Sequence, residues 1–532
     1  MSSTQNLVAI GVLALLGIVA AGIAHWSMSS DIGVAADSMI YLSAADRLVE
    51  GKGLTPIGYH FAPDIPSGQS LFVFPPAYPL LLAATSLLTT DTLTAAKYLH
   101  SFLFAANVFL LGLIVFISSR SIWPALCAVG LFLTSFPVLS IYTTALSEPL
   151  FMFFLLSTLL GMVFYIRRGQ LWMLVVCGCL AAGAVMTRYV GVIILLPLVL
   201  TVFFQSGPLR ERVKRGVLVG GVVLLPLLVW VIRNRLIAGS STGRSFAFHF
   251  FGLVKARTFV DSLMLLITPH GLPDLVRLLL LTLGAVAVVY SLWMGGHDRY
   301  VRFFSAVMVG TYVIFIVVYN SLAYPLVDFG PRVALPVYVF GMILFFSLVD
   351  WESAMGKRRT LFWCVILASI VLFIFNLRPA IYWVSYRQRE GEGLTSRAWK
   401  DSETVKFLKS LPSQTIIYSN AADACYLFTK REVLRLPAKY DSTGGRDNAD
   451  FGAQMEVLKN DLDKNHALII YFDRLTWRWY LPSRNELEEK YKLPVVTRLA
   501  DGVVFGVQSA TVHVRTSEKN TKTRLMKMVV GS

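Results

Sequence analysis

Charge is scarce in this chain, and acid is scarcer than base. Of 532 residues, 48 are Lys or Arg and 32 are Asp or Glu; only 15% are charged, 55% are hydrophobic, and the mean hydropathy is +0.63. A soluble domain carries about 25% charged residues, so a water-facing surface over most of the chain is excluded. Cysteine is also sparse. Its five copies show neither zinc-ligand spacing nor a disulfide framework. Cys127, Cys177, Cys179 and Cys364 fall inside apolar runs, and Cys425 reads as a small buried hydrophobe. Walker loops and dinucleotide fingerprints are missing. The segment Ser442 to Arg446 has adjacent glycines but no lysine and no strand-to-helix context, so it reads as a flexible loop, which argues against ATP-driven work. The net charge of +16 does not imply nucleic acid, because no basic stripe alternates with stacking aromatics.

Long apolar blocks are what the chain has in quantity. About 20 apolar residues cross roughly 30 Å of hydrocarbon. Such runs stand near residues 7–26, 97–118, 121–140, 146–165, 169–187, 189–206, 216–236, 275–295, 301–320, 332–350 and 360–377. They predict a polytopic α-helical membrane protein with about eleven transmembrane helices. Basic residues collect on the cytoplasmic side. With a cytoplasmic N-terminus, Arg120, Arg167 with Arg168, the cluster Arg210, Arg212, Lys214 and Arg215, then Arg299 with Arg302, and Lys357 to Arg359 all fall on that side. There, anionic headgroups explain much of the positive excess. Segments 27–96, 141–147, 237–274 and 321–331, and the chain after residue 378, are then external. The first span has a small-residue stretch, Ala20 to Ala24, but no basic region before it, so it is read as an uncleaved anchor.

After Arg378 the apolar runs shrink to strand length. Strands are predicted at 415–419, 432–436 and 466–472, helices at 421–428, 451–458 and 484–491, and a hairpin at 495–507 turning at Asp501-Gly502. The expected organisation is a membrane domain, 1–378, holding the external loop 27–96, and a small extracytoplasmic α/β domain, 379–532. The chain after about residue 511 is basic.

The first external loop carries more than a connector needs. Asp37, Tyr41, Ala44 and Leu48 share a helical face, which predicts an amphipathic interfacial helix from Asp37 to Glu50, stopped by Gly51 and Gly53. Phe74-Pro75-Pro76-Ala77-Tyr78-Pro79 then leads into the apolar stretch 80–88. That stretch is too short for a span and reads as a surface or re-entrant helix.

An acid after the first span, Tyr and Ala at helical spacing, Gly51-Lys52-Gly53, and Pro75-Pro76-Ala77-Tyr78-Pro79-Leu80 together resemble the GT-C membrane glycosyltransferases. The resemblance is strongest to the bacterial branch akin to the protein-mannosyltransferase and aminoarabinose-transferase families. Ser147-Glu148-Pro149-Leu150, Thr187-Arg188-Tyr189-Val190-Gly191 and Asp328-Phe329-Gly330-Pro331-Arg332 extend it over most of the chain. The resemblance implies an enzyme of the bacterial inner membrane. It would move a sugar from a polyprenyl-phosphate carrier, with inversion, to a hydroxyl of a lipid, glycan or protein acceptor on the outer face. It also implies Asp37 as general base, with Asp31 as the competitor six residues away. Some families of this fold use a divalent cation and others do not, and Asp37 with Glu148 alone is not a metal-ligand pattern.

The chemistry supports these roles on its own terms. A carboxylate within about 3 Å can take the proton of an acceptor hydroxyl as the new bond forms, although Asp37 could equally cap its helix. A departing phosphate gains charge that fixed cations stabilise. Arg188 and Arg332 are the first candidates, followed by Lys255 and Arg257, against an alternative of snorkelling toward headgroups. Glu148, at a helix start, suits orientation of an arginine or of the acceptor. Tyr41, Tyr78, His60 and His270 are further external candidates, the histidines otherwise being plain loop residues. Phe246, Phe248, Phe250 and Phe251 form an apolar strip that suits the first isoprenes of a carrier, or simply a helix lying on the membrane. The rival classes are a secondary transporter, which would place its key residues at mid-membrane depth, and a noncatalytic lipid-binding scaffold.

Overall fold

The computed structural model describes residues 3–57, 71–268, 273–293, 300–324, 327, 329–348, 359–440 and 446–507. Contacts divide the chain into a membrane unit, Met1–Leu54 with Ser70–Glu392, and a second unit, Thr55–Gln69 with Gly393–Ser532.

The membrane unit starts with α1 (Ser3–Ser27), α2 (Ala36–Val49), α3 (Ala77–Ser86), α4 (Thr92–Ser119), α5 (Ile122–Thr134), α6 (Phe136–Tyr142), α7 (Glu148–Arg168) and α8 (Leu171–Thr187). A 3-10 turn at Tyr189–Ile194 leads into α9 (Leu195–Phe203), followed by α10 (Leu209–Ala238), the short strand β1 (Ser245–Phe246), α11 (Leu253–Ile267), α12 (Asp274–Trp293), α13 (Tyr300–Leu322), β2 (Ala323–Tyr324) and α14 (Pro331–Leu348). The last membrane helix spans Arg359–Glu390.

Among the described residues eight helices are long and apolar enough to cross a membrane, or nine if α5 and α6 form one broken span. This corrects the expected eleven. The run at 121–140 bends by 71° between α5 and α6. Ser135 is extended there, and Pro137, in the first turn of α6, has no amide to bond back to Leu133, so α5 does not run on through it. The run at 169–187 becomes a helix of 17 residues, about 26 Å at 1.5 Å per residue and so short of the hydrocarbon thickness. The run at 189–206 is split between the 3-10 turn and α9. Hydropathy counts apolar residues, but it does not register where the backbone stops being one helix.

In the first loop α2 forms where the apolar spacing placed it. Gly51 and Gly53, both at φ +74°, take up the left-handed geometry that ends it. The helix packs against α3 and α4, burying Met39, Tyr41, Leu42, Ala44 and Ala45.

The second unit is α/β, with a mixed five-stranded sheet in the order β4-β3-β5-β7-β6. Its strands are β3 (Ile417–Ser419), β4 (Leu434–Arg435), β5 (Leu468–Phe472), β6 (Val495–Leu499) and β7 (Gly502–Phe505). β3 runs parallel to both β4 and β5, and β7 lies antiparallel between β5 and β6. The expected strands and the Asp501-Gly502 turn are present. The helix from Phe451 extends to Lys464, and the one expected at 484–491 is present over residues 484–490, its last five residues, Glu486–Lys490, wound as a π-helix. Met455, Leu458 and Leu462 on the long helix pack with Ile469, Val503 and Phe505 of the sheet in one core.

Candidate active site

Four charged side chains from four separate segments converge in the membrane unit. Asp37 lies in the first turn of α2, where Ala35 is the N-cap and the Ser38 hydroxyl accepts from the Ala35 amide at 3.0 Å. Asp37 therefore does not cap the helix. Its Oδ2 accepts from Arg332 Nη2 at 2.7 Å. Arg332 Nε lies 3.0 Å from Glu148 Oε1, and the same oxygen is 2.7 Å from Arg188 Nη1. The order is Asp37, Arg332, Glu148, Arg188, so the two acids balance the two arginines.

Local structure explains how each side chain gets there. Glu148 opens α7 with a proline beside it, so the helix begins sharply and the carboxylate sits where the helix dipole favours it. Arg188 terminates α8 in an extended conformation before the 3-10 turn. That tight reversal requires Gly191, because a Cβ there would lie 2.7 Å from the Ala184 carbonyl carbon and oxygen. The adjacent Tyr189 hydroxyl donates to the Phe72 carbonyl at 2.8 Å and accepts from Trp230 Nε1 at 3.0 Å, which pins the turn to the first loop and to α10. Arg332 is the second residue of α14, a helix that packs on α11. Phe251 and Phe259 close edge-on over Phe329, just ahead of it.

The exposures of the two acids differ. The Glu148 side chain is 3% exposed, whereas that of Asp37 is 33% exposed. Glu148 therefore serves as the buried counter-ion that holds two guanidiniums in place, and Asp37 is the carboxylate that a ligand can reach. Arg188 Nη1 also donates to Ser147 Oγ at 3.1 Å, and that hydroxyl lies 3.3 Å from the Tyr41 hydroxyl. Burial, reinforced by the charge of Asp37 and opposed by Arg188, raises the Tyr41 phenol well above its ordinary range, so it remains a hydroxyl. Tyr41 packs edge-on against Tyr78 at 5.1 Å, and the Tyr78 hydroxyl bonds His100 Nε2 at 2.7 Å. The other His100 ring nitrogen pairs with the Tyr142 carbonyl at 3.0 Å, which makes a buried polar support behind the site.

Asp37, Glu148, Arg188 and Arg332 are thus brought together, with Tyr41 and Tyr78 beside them. Asp31 sits apart from the group, where its charge acts on Arg387. Lys255 is half-buried and Arg257 exposed on α11, and among the described residues neither makes an ion pair. Phe246, Phe248 and Phe250 are 80–92% exposed, and Phe251 is half-buried against Phe329. His60, His270 and Asp328 lie outside the described residues. Sequence reasoning singled out the Ser147-Glu148-Pro149 motif without giving Ser147 a role, and it missed His100 and Tyr312, the last lying within electrostatic reach of Arg188 and Glu148. Their signal was polarity inside apolar runs, which is rare enough in a membrane helix to mark function or support.

Among the described residues no three His, Cys, Asp or Glu side chains gather as they would to hold a metal ion. The charged group itself does not fit a divalent cation. Asp37 Oδ2 and Glu148 Oε1 face guanidiniums, whose charge would repel a divalent cation at these oxygens.

A family profile described as dolichyl-phosphate-mannose-protein mannosyltransferase matches residues 65–235. A search of curated proteins found no match. Two solved structures of ArnT from Cupriavidus metallidurans are similar over nearly the whole chain. The apo state has a TM-score of 0.59 at 14% identity, covering 94% of this chain and 99% of that one. The form bound to undecaprenyl phosphate has a TM-score of 0.57 at 14% identity, covering 96% and 99%. The Archaeoglobus fulgidus oligosaccharyltransferase in complex with Zn and sulfate follows at 0.54 and 12% identity, covering 92% and 71%. At these identities the likeness is one of architecture, and the chain has the fold of the GT-C membrane glycosyltransferases.

Proposed function

We propose that this protein is an inverting glycosyltransferase that moves a sugar from a polyprenyl-phosphate carrier to an acceptor hydroxyl on the outer face of a bacterial inner membrane. The N-terminus would be cytoplasmic and the second unit external. The observation that carries this reading is the graded exposure of the charged group, with an accessible carboxylate at one end and a buried one locking two guanidiniums behind it. The match to a mannosyltransferase profile and the undecaprenyl phosphate bound by a protein of the same fold support the donor class.

In this mechanism the Asp37 carboxylate accepts the proton of the acceptor hydroxyl as that oxygen attacks C1 from the face opposite the phosphate. The bond from C1 to the phosphate oxygen breaks, and the carrier phosphate leaves with the electron pair. Arg188 keeps Nε and Nη2, and Arg332 keeps Nη1, outside the contacts described above. These donors suit the growing charge on the phosphate, because a guanidinium fork binds two of its oxygens at once. Glu148 and Ser147 hold the forks in place beforehand. The exposed Phe246, Phe248 and Phe250 shelter the first isoprenes, and Lys255 and Arg257 add positive charge near the headgroup layer. Glu148, Arg188 and Arg332 all lie at helix ends, which suits chemistry at the membrane face better than transport through its centre.

The test is transfer of radiolabelled sugar from defined polyprenyl-phosphate donors in proteoliposomes, for the native protein and for Asp37→Asn, Asp31→Asn and Arg188→Ala. Loss in the Asp37 and Arg188 variants with retention in Asp31→Asn is the expected pattern. Full transfer by Asp37→Asn would leave only a scaffold role for the chain, and loss confined to Asp31→Asn would move the base there. Transfer that survives chelation is expected.

A further inference from the structure

The last membrane helix ends in a second polar group, built around a fully buried arginine. Arg387 is 0% exposed. Its Nη2 donates to the Thr143 carbonyl at 2.8 Å, and that carbonyl also accepts from the Gly33 amide at 2.9 Å. The Gly33 carbonyl in turn accepts from the Ala145 amide at 2.8 Å, so residues around 33 and 144 run side by side as a short bridge. Glu392 completes the group. Its Oε2 lies 3.2 Å from Arg387 Nε and accepts from Thr144 Oγ1 at 3.0 Å, and its Oε1 accepts from Ser140 Oγ at 3.3 Å.

The sequence explains why this acid returns to the arginine five positions before it. Gly391, at φ +70°, ends the helix with its amide bonded to the Arg387 carbonyl at 2.9 Å, and Gly393 at φ +61° turns the chain again. Gly33 is equally specific. A Cβ there would stand 2.6 Å from Arg387 Nη2 and 2.9 Å from Thr144 Oγ1, so only glycine lets the guanidinium reach the backbone.

The two segments bridged in this way are the approaches to the two acids of the charged group. Asp37 stands four positions after Gly33, and Glu148 four positions after Thr144. We propose that Arg387 and Glu392 are positioning residues that clamp these approaches and so fix the spacing between Asp37 and the arginines held by Glu148. The inference rests on the reading of Asp37 as the base. Displacing a reacting group by about 1 Å can cost on the order of a hundredfold in rate without altering how substrate binds. An ion pair whose arginine is fully buried, set between the end of one helix and the roots of two others, is a device for that kind of spacing.

The experiment uses the full-length protein in nanodiscs, with Arg387→Leu, Glu392→Gln, Thr144→Val and Arg387→Lys, and Arg389→Gln on the exposed side of the same helix as control. Two quantities are measured, namely the steady-state parameters for a polyprenyl-phosphate donor and amide hydrogen exchange in peptides covering Gly33 and Ala145. Arg387→Leu and Glu392→Gln are expected to lower kcat about ten- to a hundredfold with donor KM within about twofold, and to speed exchange at both amides. Arg387→Lys should restore part of kcat, and Arg389→Gln should match the native protein in both readouts. Should Arg387→Leu fail to fold, Thr144→Val and Glu392→Gln still loosen one side of the clamp and decide the question. Native exchange with native kcat in the clamp variants overturns the proposal, as does faster exchange with an unchanged kcat. Absence of transfer in the native protein would instead overturn the glycosyltransferase reading, and the exchange data would still report whether the pair holds the two segments.

Discussion

Exposure separates the roles of Asp37 and Glu148, and exchanging each for its amide turns that separation into numbers. Glu148 Oε1 lies 2.7 Å from one guanidinium nitrogen and 3.0 Å from another, with the carboxylate almost wholly buried. At an effective dielectric of about 20 each contact is worth roughly 6 kcal/mol of gross attraction, most of it offset by desolvation. Removing one partner of a buried pair costs about 3–5 kcal/mol; with Arg188 and Arg332 partly exposed and Arg332 still paired to Asp37, the cost here falls at the lower end, about 3 kcal/mol. Asp37 and Arg332 are each about one-third exposed. Their pair is of the kind worth about 0–1 kcal/mol. Asp37→Asn should therefore melt close to the native protein in a tryptophan-fluorescence thermal scan yet lose about 10²–10⁴ in turnover, the range of a missing general base. Glu148→Gln should lose both stability and turnover. The reasoning is refuted if Asp37→Asn turns over within about tenfold of native, or if its melting midpoint falls as far as that of Glu148→Gln.

Further perturbations test the supports of the site and the second unit. Gly191→Ala puts a methyl against the Ala184 and Val185 backbone; it should destabilise by about 1–3 kcal/mol and impair transfer by displacing Arg188, measured by thermal scan and donor titration. Tyr78→Phe leaves His100 Nε2 without its bond and should cost about 1–3 kcal/mol in the same scan. Serine at Phe246, Phe248 and Phe250 together should raise donor KM for long-chain carriers and leave short-chain carriers little changed; equal effects on both would refute the strip. In the second unit burial opposes ionisation of Asp501, but hydrogen bonds, those from the Thr404 amide and hydroxyl among them, prevail and hold its carboxyl below the usual range. A folded value below the unfolded one contributes stability above about pH 4, lost as pH falls through the folded value. The difference in melting midpoint between native protein and Asp501→Asn should then shrink from pH 6 to pH 3, and a constant difference would refute it.

Elements whose signal is local were legible in advance. The α2 helix announced itself through apolar spacing and two closing glycines, and the Asp501-Gly502 turn through its dipeptide chemistry, because both are decided by neighbouring residues. The span count failed where the decision was not local. The 3-10 turn after Arg188 interrupts a sequence that is apolar on both sides, and what fixes it is packing; the break at Ser135 does have a local mark, Pro137, which a count of apolar residues passes over. Gly191 is needed because the reversal after Arg188 lays it back on the Ala184 and Val185 backbone of α8, a close approach that apolar composition does not register.

The site shows the same division, with a different consequence. Asp37, Glu148, Arg188 and Arg332 could be named as separate candidates from residue type and place at helix ends, but their order could not, since pairing across 295 residues depends on the fold. That order changes what each residue can do. Two arginines already matched by two acids do not form an open anion site; a phosphate must compete with Glu148 for them or use the nitrogens the acids leave free. Binding of the donor, a phosphodiester that carries one negative charge and gains a second as the carrier phosphate leaves, would therefore draw Arg332 toward the phosphate and weaken its hold on Asp37. If so, Asp37 becomes most available as a base once the leaving group is seated, an ordering that ties deprotonation of the acceptor to occupancy of the donor site. A solvent isotope effect on transfer that disappears when Arg332→Gln uncouples the two would support it, and an effect of equal size in both proteins would show that donor and base act independently.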